Sequence, residues 1–222
     1  MLKGMIFDLD GVLTDSATYH LQAWRELATR LRIMLPAEAN EALRGRSRAD
    51  SLALILRYGH QEMRYTEAEK VALAESKNAA YQRLIQSMTP ADILPGVLTL
   101  LDAAKQAGLR LAIASASRNA PAILERLDLR RYFDGLVDPA TLHRGKPDPE
   151  IFVKAAATID LPNTVVMSFE DASAGVTAIK AAGQFAVGIG DPQVLVKADV
   201  IVPTTAALDY DQLAAAFASA NL

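Results

Sequence analysis

The chain has no cysteine among its 222 residues. That absence excludes disulfides, thiolate nucleophiles and cysteine-ligated zinc, and it suits a reducing compartment. Neither charge is in large excess: 23 basic and 26 acidic residues leave a net charge of −3. No global field therefore draws the chain to nucleic acid or to anionic lipid. Long hydrophobic runs are missing too. The apolar stretch after Met1-Leu2-Lys3-Gly4 lasts about six residues, too short for a signal peptide or a membrane span. There are no internal repeats and no low-complexity linkers. The expectation is a cytoplasmic monomer that acts on small molecules, with neither nucleic acid nor membrane as a partner.

What is present is an apolar fraction of 51%, ample for a packed domain with an insertion. The stretch Met5-Ile6-Phe7-Asp8-Leu9-Asp10-Gly11-Val12-Leu13 reads as an apolar strand that ends in two carboxylates and a glycine. A parallel strand covered by helices on both faces is a plain hydrophobic run. Two acids at its carboxyl end are costly to bury unless a metal, a cation or hydrogen bonds compensate. The carboxyl ends of strands are also where open α/β sheets bind ligands.

From Ser16 to Gln86 the pattern is helical throughout. Ala17, His20, Leu21, Trp24, Leu27, Ala28 and Leu31 recur at spacings of three and four. Beyond it, β-α alternation begins. Strands are expected over 109–114, near Leu136-Val137, and over 164–169, 185–189 and 199–202, with Gly108 and Gly183 as helix stops. Asn119 is a candidate helix cap ahead of Pro121, and Asp148-Pro149 repeats that start signal. The fold class is therefore α/β: a Rossmann-like parallel sheet core formed by 1–15 and 87–222, with an all-helical cap inserted over 16–86.

Four polar clusters fall just after expected strands: Asp8 and Asp10; Ser115-Ala116-Ser117-Arg118-Asn119; Lys146; and Glu170-Asp171. A parallel sheet brings them to one edge. Carboxylates, a lysine and a small hydroxyl suit Mg²⁺ and a phosphate. A carboxylate attacking phosphorus is repelled by the phosphate oxygens, and a metal and a lysine offset that repulsion. A second acid two residues on, on the same side of an extended strand, is placed to move a proton. Taken singly, each signal has a plainer meaning: Asp-Gly marks turns, and a lone lysine is usually solvated.

These motifs resemble the haloacid dehalogenase-like superfamily over the whole chain: D-x-D-G-V at Asp8 to Val12, the strand-end Ser115, Lys146-Pro147, and the acidic pair Glu170-Asp171. The resemblance implies that Asp8 is a nucleophile forming an aspartyl-phosphate and that Asp10 is the general acid/base. Ser115 and Lys146 would hold the phosphoryl group. One Mg²⁺ per chain would be bound by Asp8, the Asp10 backbone carbonyl and Asp171, with Glu170 nearby.

A narrower resemblance is to the β-phosphoglucomutase branch of that superfamily. It rests on Ser16, His20 and Trp24; on Arg44-Gly45-Arg46-Ser47-Arg48 before Asp50-Ser51-Leu52; and on Lys77-Asn78. In the core it rests on Ser115 to Asn119, Asp138-Pro139 and Lys146-Pro147-Asp148-Pro149. It implies interconversion of β-D-glucose 1-phosphate and glucose 6-phosphate, with β-glucose 1,6-bisphosphate as primer and intermediate. Arginine forks at 44, 46 and 48, the N–H groups around Gly45, and Arg118 with Asn119 suit a phosphate distant from the metal. Ser16, His20, Lys77 and Asp10 correspond to a set that links substrate binding to the acid/base. His20 beside Leu21 and Trp24 also reads as a core residue, and Trp24 as core rather than sugar platform. The chain departs from the branch with Ser16 where threonine is expected, Arg44 and Arg118 where lysine is frequent, and Arg46 at a commonly apolar position. A sugar-phosphate phosphatase on the same fold and a non-catalytic phosphate-sugar sensor stay open as alternatives.

Overall fold

A computed structural model describes residues 1–43 and 46–220. They form two compact units, one of Met1–Asp15 with Thr89–Leu222 and the other of Ser16–Met88. Ser87 and Met88 thus belong to the helical unit.

The first unit holds a six-stranded parallel sheet of β1 (Gly4–Phe7), β2 (Arg110–Ile113), β3 (Gly135–Leu136), β4 (Val166–Glu170), β5 (Phe185–Ile189) and β6 (Val200–Val202). Their order is β3-β2-β1-β4-β5-β6, and every neighbouring pair is parallel. Phe7 is level with Ile113 on one side and with Phe169 on the other. That order reverses direction between β1 and β4, the point at which such sheets open a crevice for ligand. Every residue of β1, β4 and β5 is buried, as helices on both faces require.

The same unit carries helices α5 (Val97–Gln106), α6 (Ala120–Arg126), α7 (Glu150–Thr158), α8 (Ser173–Ala181) and α9 (Tyr210–Ala220). Ile151, Phe152, Val176 and Ile179 from α7 and α8 pack with Ile6, Ala112 and Val166 of the sheet. The Phe7 ring stacks on Phe169 at 4.5 Å and meets Phe133 edge-on at 6.0 Å.

Two local expectations need correction. The first strand stops at Phe7, so Asp8 and Asp10 lie beyond it. Leu9 bends, Gly11 takes φ +78°, and the chain turns back through Thr14. Asn119 sits at the cap position of α6, but its side chain makes no cap hydrogen bond; its backbone is itself helical there.

The second unit comprises α1 (Ala17–Arg30), α2 (Ala39–Ala42), α3 (Arg48–Tyr58) and α4 (Glu67–Ile85). Trp24, Leu27 and Ala28 of α1 pack with Leu52, Ile55 and Leu56 of α3, the helical spacing expected from sequence. Thr66 and Glu69 form a capping box that starts α4. Among the described residues, no helix is long and apolar enough to cross a membrane.

Candidate active site

The acid cluster sits where the sheet order reverses. Asp8 follows β1 and donates its backbone N–H to Phe169 of β4 at 3.1 Å. Glu170 ends β4, and Asp171 follows it. Oxygens of Asp8, Glu170 and Asp171 lie within 4.8 Å of one another. Ser115, two residues past the end of β2, is buried, and its Oγ accepts from the Ser117 N–H at 3.2 Å.

Lys146 enters this cluster from the loop before α7. Its Nζ donates to Asp8 Oδ1 at 2.8 Å and to Glu170 Oε2 at 2.7 Å, and its side chain is only 6% exposed. The ammonium also lies 5.2 Å from the centre of the Phe152 ring. Burial works against its charge, but Asp8 and Glu170 outweigh it and raise its pKa above that of an ordinary lysine. Burial pushes the Glu170 carboxyl up, and Asp8 and Asp171 add to that, while Lys146 opposes it.

Two glycines make room for the carboxylates. A Cβ on Gly11 would come within 2.0 Å of Asp171 Oδ2, and φ +78° is itself disfavoured for other residues. A Cβ on Gly175 would come within 2.0 Å of the Glu170 carboxyl carbon, so α8 can begin against that side chain. Ala172 N–H donates to Glu170 Oε1 at 3.2 Å.

A divalent cation fits this donor set. Three clustered carboxylates face one ammonium, which leaves uncompensated negative charge, and their oxygens are the hard ligands that Mg²⁺ takes. The Asp10 side chain is not part of that trio.

The candidates in the helical unit form a group of their own. Lys77 Nζ lies 2.7 Å from His20 Nδ1, 4.5 Å from the Trp24 ring centre and 5.0 Å from that of Tyr81. His20 stacks on Tyr81 at 3.8 Å. An ammonium has no lone pair, so Nδ1 accepts and the imidazole proton sits on Nε2. Burial, then Lys77 and Arg48, holds the His20 pKa well below its ordinary value. Ser16 is buried, and its carbonyl accepts from the His20 N–H at 3.1 Å.

The arginine loop is engaged locally. Arg48 donates to Asn78 Oδ1 at 2.8 Å and lies 3.9 Å from Glu75. Arg46 donates through Nε to the Ala42 carbonyl at 2.5 Å. The Ser47 hydroxyl caps α3, accepting from Asp50 N–H at 3.1 Å and donating to its carboxylate at 2.6 Å. Arg44 and Gly45 lie outside the described residues. In the core, Ala116 and Arg118 are exposed and Asn119 is buried, with Asn119 N–H donating to Ser117 Oγ at 3.2 Å.

A groove of about 840 Å³ in the helical unit is lined by Thr18, Gln22, Arg25, Thr29, Ser76 and Arg83 among others. It lies on the face of α1 opposite His20 and Trp24, so it is distinct from this group. Tyr81, Phe152 and Gly175 were not among the sequence candidates. Helical spacing offered the one signal for Tyr81, four residues after Lys77.

A family model described as "Hydrolase: haloacid dehalogenase-like hydrolase" matches residues 2–183. The chain is 47% identical over 212 residues to a β-phosphoglucomutase of Bacillus subtilis (strain 168), covering 96% of this chain and 94% of the relative. It is 31% identical over 191 residues to the fructose-1-phosphate phosphatase YqaB of Escherichia coli (strain K12), covering 84% and 95%. A crystal structure of a β-phosphoglucomutase from Clostridium difficile superposes with a TM-score of 0.97 at 39% identity, covering 100% of this chain and 99% of the other.

Two predictions follow from the geometry. Lys146→Met leaves Asp8 and Glu170 buried without their cation, a loss on the order of 3–5 kcal/mol. Thermal unfolding without metal should show it, and Mg²⁺ should stabilise the variant more than the parent; equal stability of the two metal-free proteins would contradict the bridge. His20 is held neutral when folded, whereas its ordinary pKa is 6.5. Stability is thus complete above about pH 6.5 and falls as the pH drops towards the lowered folded value. His20→Gln should flatten the fall in melting temperature between about pH 7.5 and 5.5, and an unchanged slope would contradict a buried neutral imidazole.

Proposed function

This chain belongs to the haloacid dehalogenase-like hydrolase family, and from that premise we propose that it is a β-phosphoglucomutase. It interconverts β-D-glucose 1-phosphate and D-glucose 6-phosphate, with β-glucose 1,6-bisphosphate as primer and intermediate. The observation that carries this reading is the match to mutases along nearly the whole chain, the inserted helices included.

The assigned roles are these. Phosphorylated Asp8 gives its phosphoryl group to the sugar 6-hydroxyl: the bond from Asp8 to phosphorus breaks, the bond from O6 forms, and Asp10 takes the hydroxyl proton. After the bisphosphate has turned round, the Asp8 carboxylate attacks the phosphorus at C1. The bond to O1 breaks, Asp10 returns the proton to O1, and glucose 6-phosphate leaves a rephosphorylated Asp8. Lys146 holds Asp8 Oδ1, fixing the rotation of the carboxylate and setting positive charge beside the transferring oxygens. Ser115 is assigned to the same phosphoryl group. Asp8, Asp171 and the Asp10 carbonyl, with Glu170 beside them, would hold Mg²⁺, which when bound neutralises phosphate charge. Arg46, Arg48 and Arg118, with Asn119, are assigned to the far phosphate, and Ser16, His20 and Lys77 to the link between substrate binding and the Asp10 acid/base, while Trp24 is a buried residue of the helical core.

The phosphatase relative gives the second reading its footing, because water in place of the 6-hydroxyl completes a hydrolysis. A coupled assay with β-glucose 1-phosphate, catalytic bisphosphate and Mg²⁺ separates the two. The expected result is glucose 6-phosphate formation without matching release of inorganic phosphate, abolished in Asp8→Asn. Phosphate release without isomerisation would overturn the mutase.

A further inference from the structure

We propose that Glu150 is a positioning residue for phosphoryl transfer, its carboxylate bracing the loop that delivers Lys146 to Asp8 and Glu170. The proposal rests on the assignment of Asp8 and Lys146 above.

Lys146 lies in the segment between β3 and α7, which has no strand or α-helix and only a short helical turn at Pro139–Thr141. A lysine on such a segment has many rotamers and a mobile backbone, yet its Nζ sits between two carboxylates at 2.8 and 2.7 Å. Glu150, the first residue of α7, is what closes the segment. Its Oε2 accepts from the backbone N–H of His143 at 2.9 Å and of Arg144 at 2.8 Å, just before Gly145 and Lys146. Its Oε1 lies 2.6 Å from Lys154 Nζ, one turn further along α7. Lys154 also donates to the Thr141 carbonyl at 2.5 Å. Between them, Asp148 N–H donates to the Gly145 carbonyl, and Asp148 Oδ1 accepts from Glu150 N–H, each at 3.0 Å.

Hydrogen bonds from N–H groups to an ionised carboxylate are the stronger kind, so this one side chain ties the stretch just before Lys146 onto the start of α7. The pair with Lys154 and the two N–H donors hold the Glu150 carboxyl down to about 2, so the brace is charged at any neutral pH. Glu150 and Lys146 are four residues apart but do different things: one bonds the loop and its own helix, the other reaches the reacting carboxylate. Such a residue should act on the rate of the chemical step rather than on substrate affinity.

The test compares Glu150→Ala, Glu150→Gln and Lys154→Met in the full chain with Mg²⁺. Phosphorylation of Asp8 by acetyl phosphate is followed by intact mass, alongside kcat and KM for isomerisation. A misplacement of 1 Å costs on the order of 100-fold. Glu150→Ala should therefore slow Asp8 phosphorylation and kcat by about 10- to 100-fold with KM nearly unchanged. Glu150→Gln, which keeps an acceptor for the two N–H groups, should lose only a few-fold, and Lys154→Met less still. If the alanine variant does not fold, the glutamine variant decides: a slower step at unchanged KM supports the brace. Glu150 variants that phosphorylate at the parent rate, or that lose activity through KM alone, would overturn it. A parent protein that takes no phosphoryl group on Asp8 would instead sink the underlying functional assignment.

Discussion

The structure depends on one electrostatic constraint: three carboxylates are packed together at the carboxyl ends of two neighbouring strands, and a buried ammonium must hold them there. Like charges about 4 Å apart repel by about 4 kcal/mol at an effective dielectric of about 20. Asp8, Glu170 and Asp171 therefore cannot share this place as bare anions. Lys146 answers two of them at hydrogen-bond distance, and the charge left over is what a divalent cation or a phosphoryl-transfer centre uses. The raised pKa of Lys146 and the raised carboxyl of Glu170 are two views of that balance.

The sheet serves this cluster directly. Because β4 returns to the free side of β1 after β2 and β3 have been laid on the other side, residues some 160 positions apart in sequence become neighbours across one ladder. Gly11 and Gly175 clear the space that the acids fill, and Phe152 supplies a ring beside the lysine. The helical unit builds a second polar group by other means, on helices alone: a neutral imidazole accepts from Lys77 between the rings of Trp24 and Tyr81.

Much of this was legible in the sequence because strand ends are punctuated. An apolar run that stops at an acid, a serine or an acidic pair marks both the end of a strand and the place where ligands bind. Fold class and the alternation of elements followed from the same pattern, and the parallel sheet and near-full-length mutase match agree with it. Other features depend on distance in space and left no periodic trace. Nothing near Gly175 announces that Glu170 lies against it, and Glu150 reads as an ordinary first-turn acid until its loop partners are seen. Local chemistry also redirected some side chains: Ser47 is used as a helix cap and Arg46 bonds a carbonyl one turn back. Asp8 and Asp10 fall past the strand because Leu9 bends and Gly11 adopts a left-handed conformation.

The central claim is that Asp8 carries a phosphoryl group and passes it to sugar in preference to water. Loading the protein with limiting β-glucose 1,6-bisphosphate and Mg²⁺, then following the phosphorylated chain by intact mass, measures this directly. The phosphoryl group should map to Asp8 and leave far faster when β-glucose 1-phosphate is added than in buffer alone. Loss to inorganic phosphate at one rate, whether or not the sugar phosphate is present, would contradict the account.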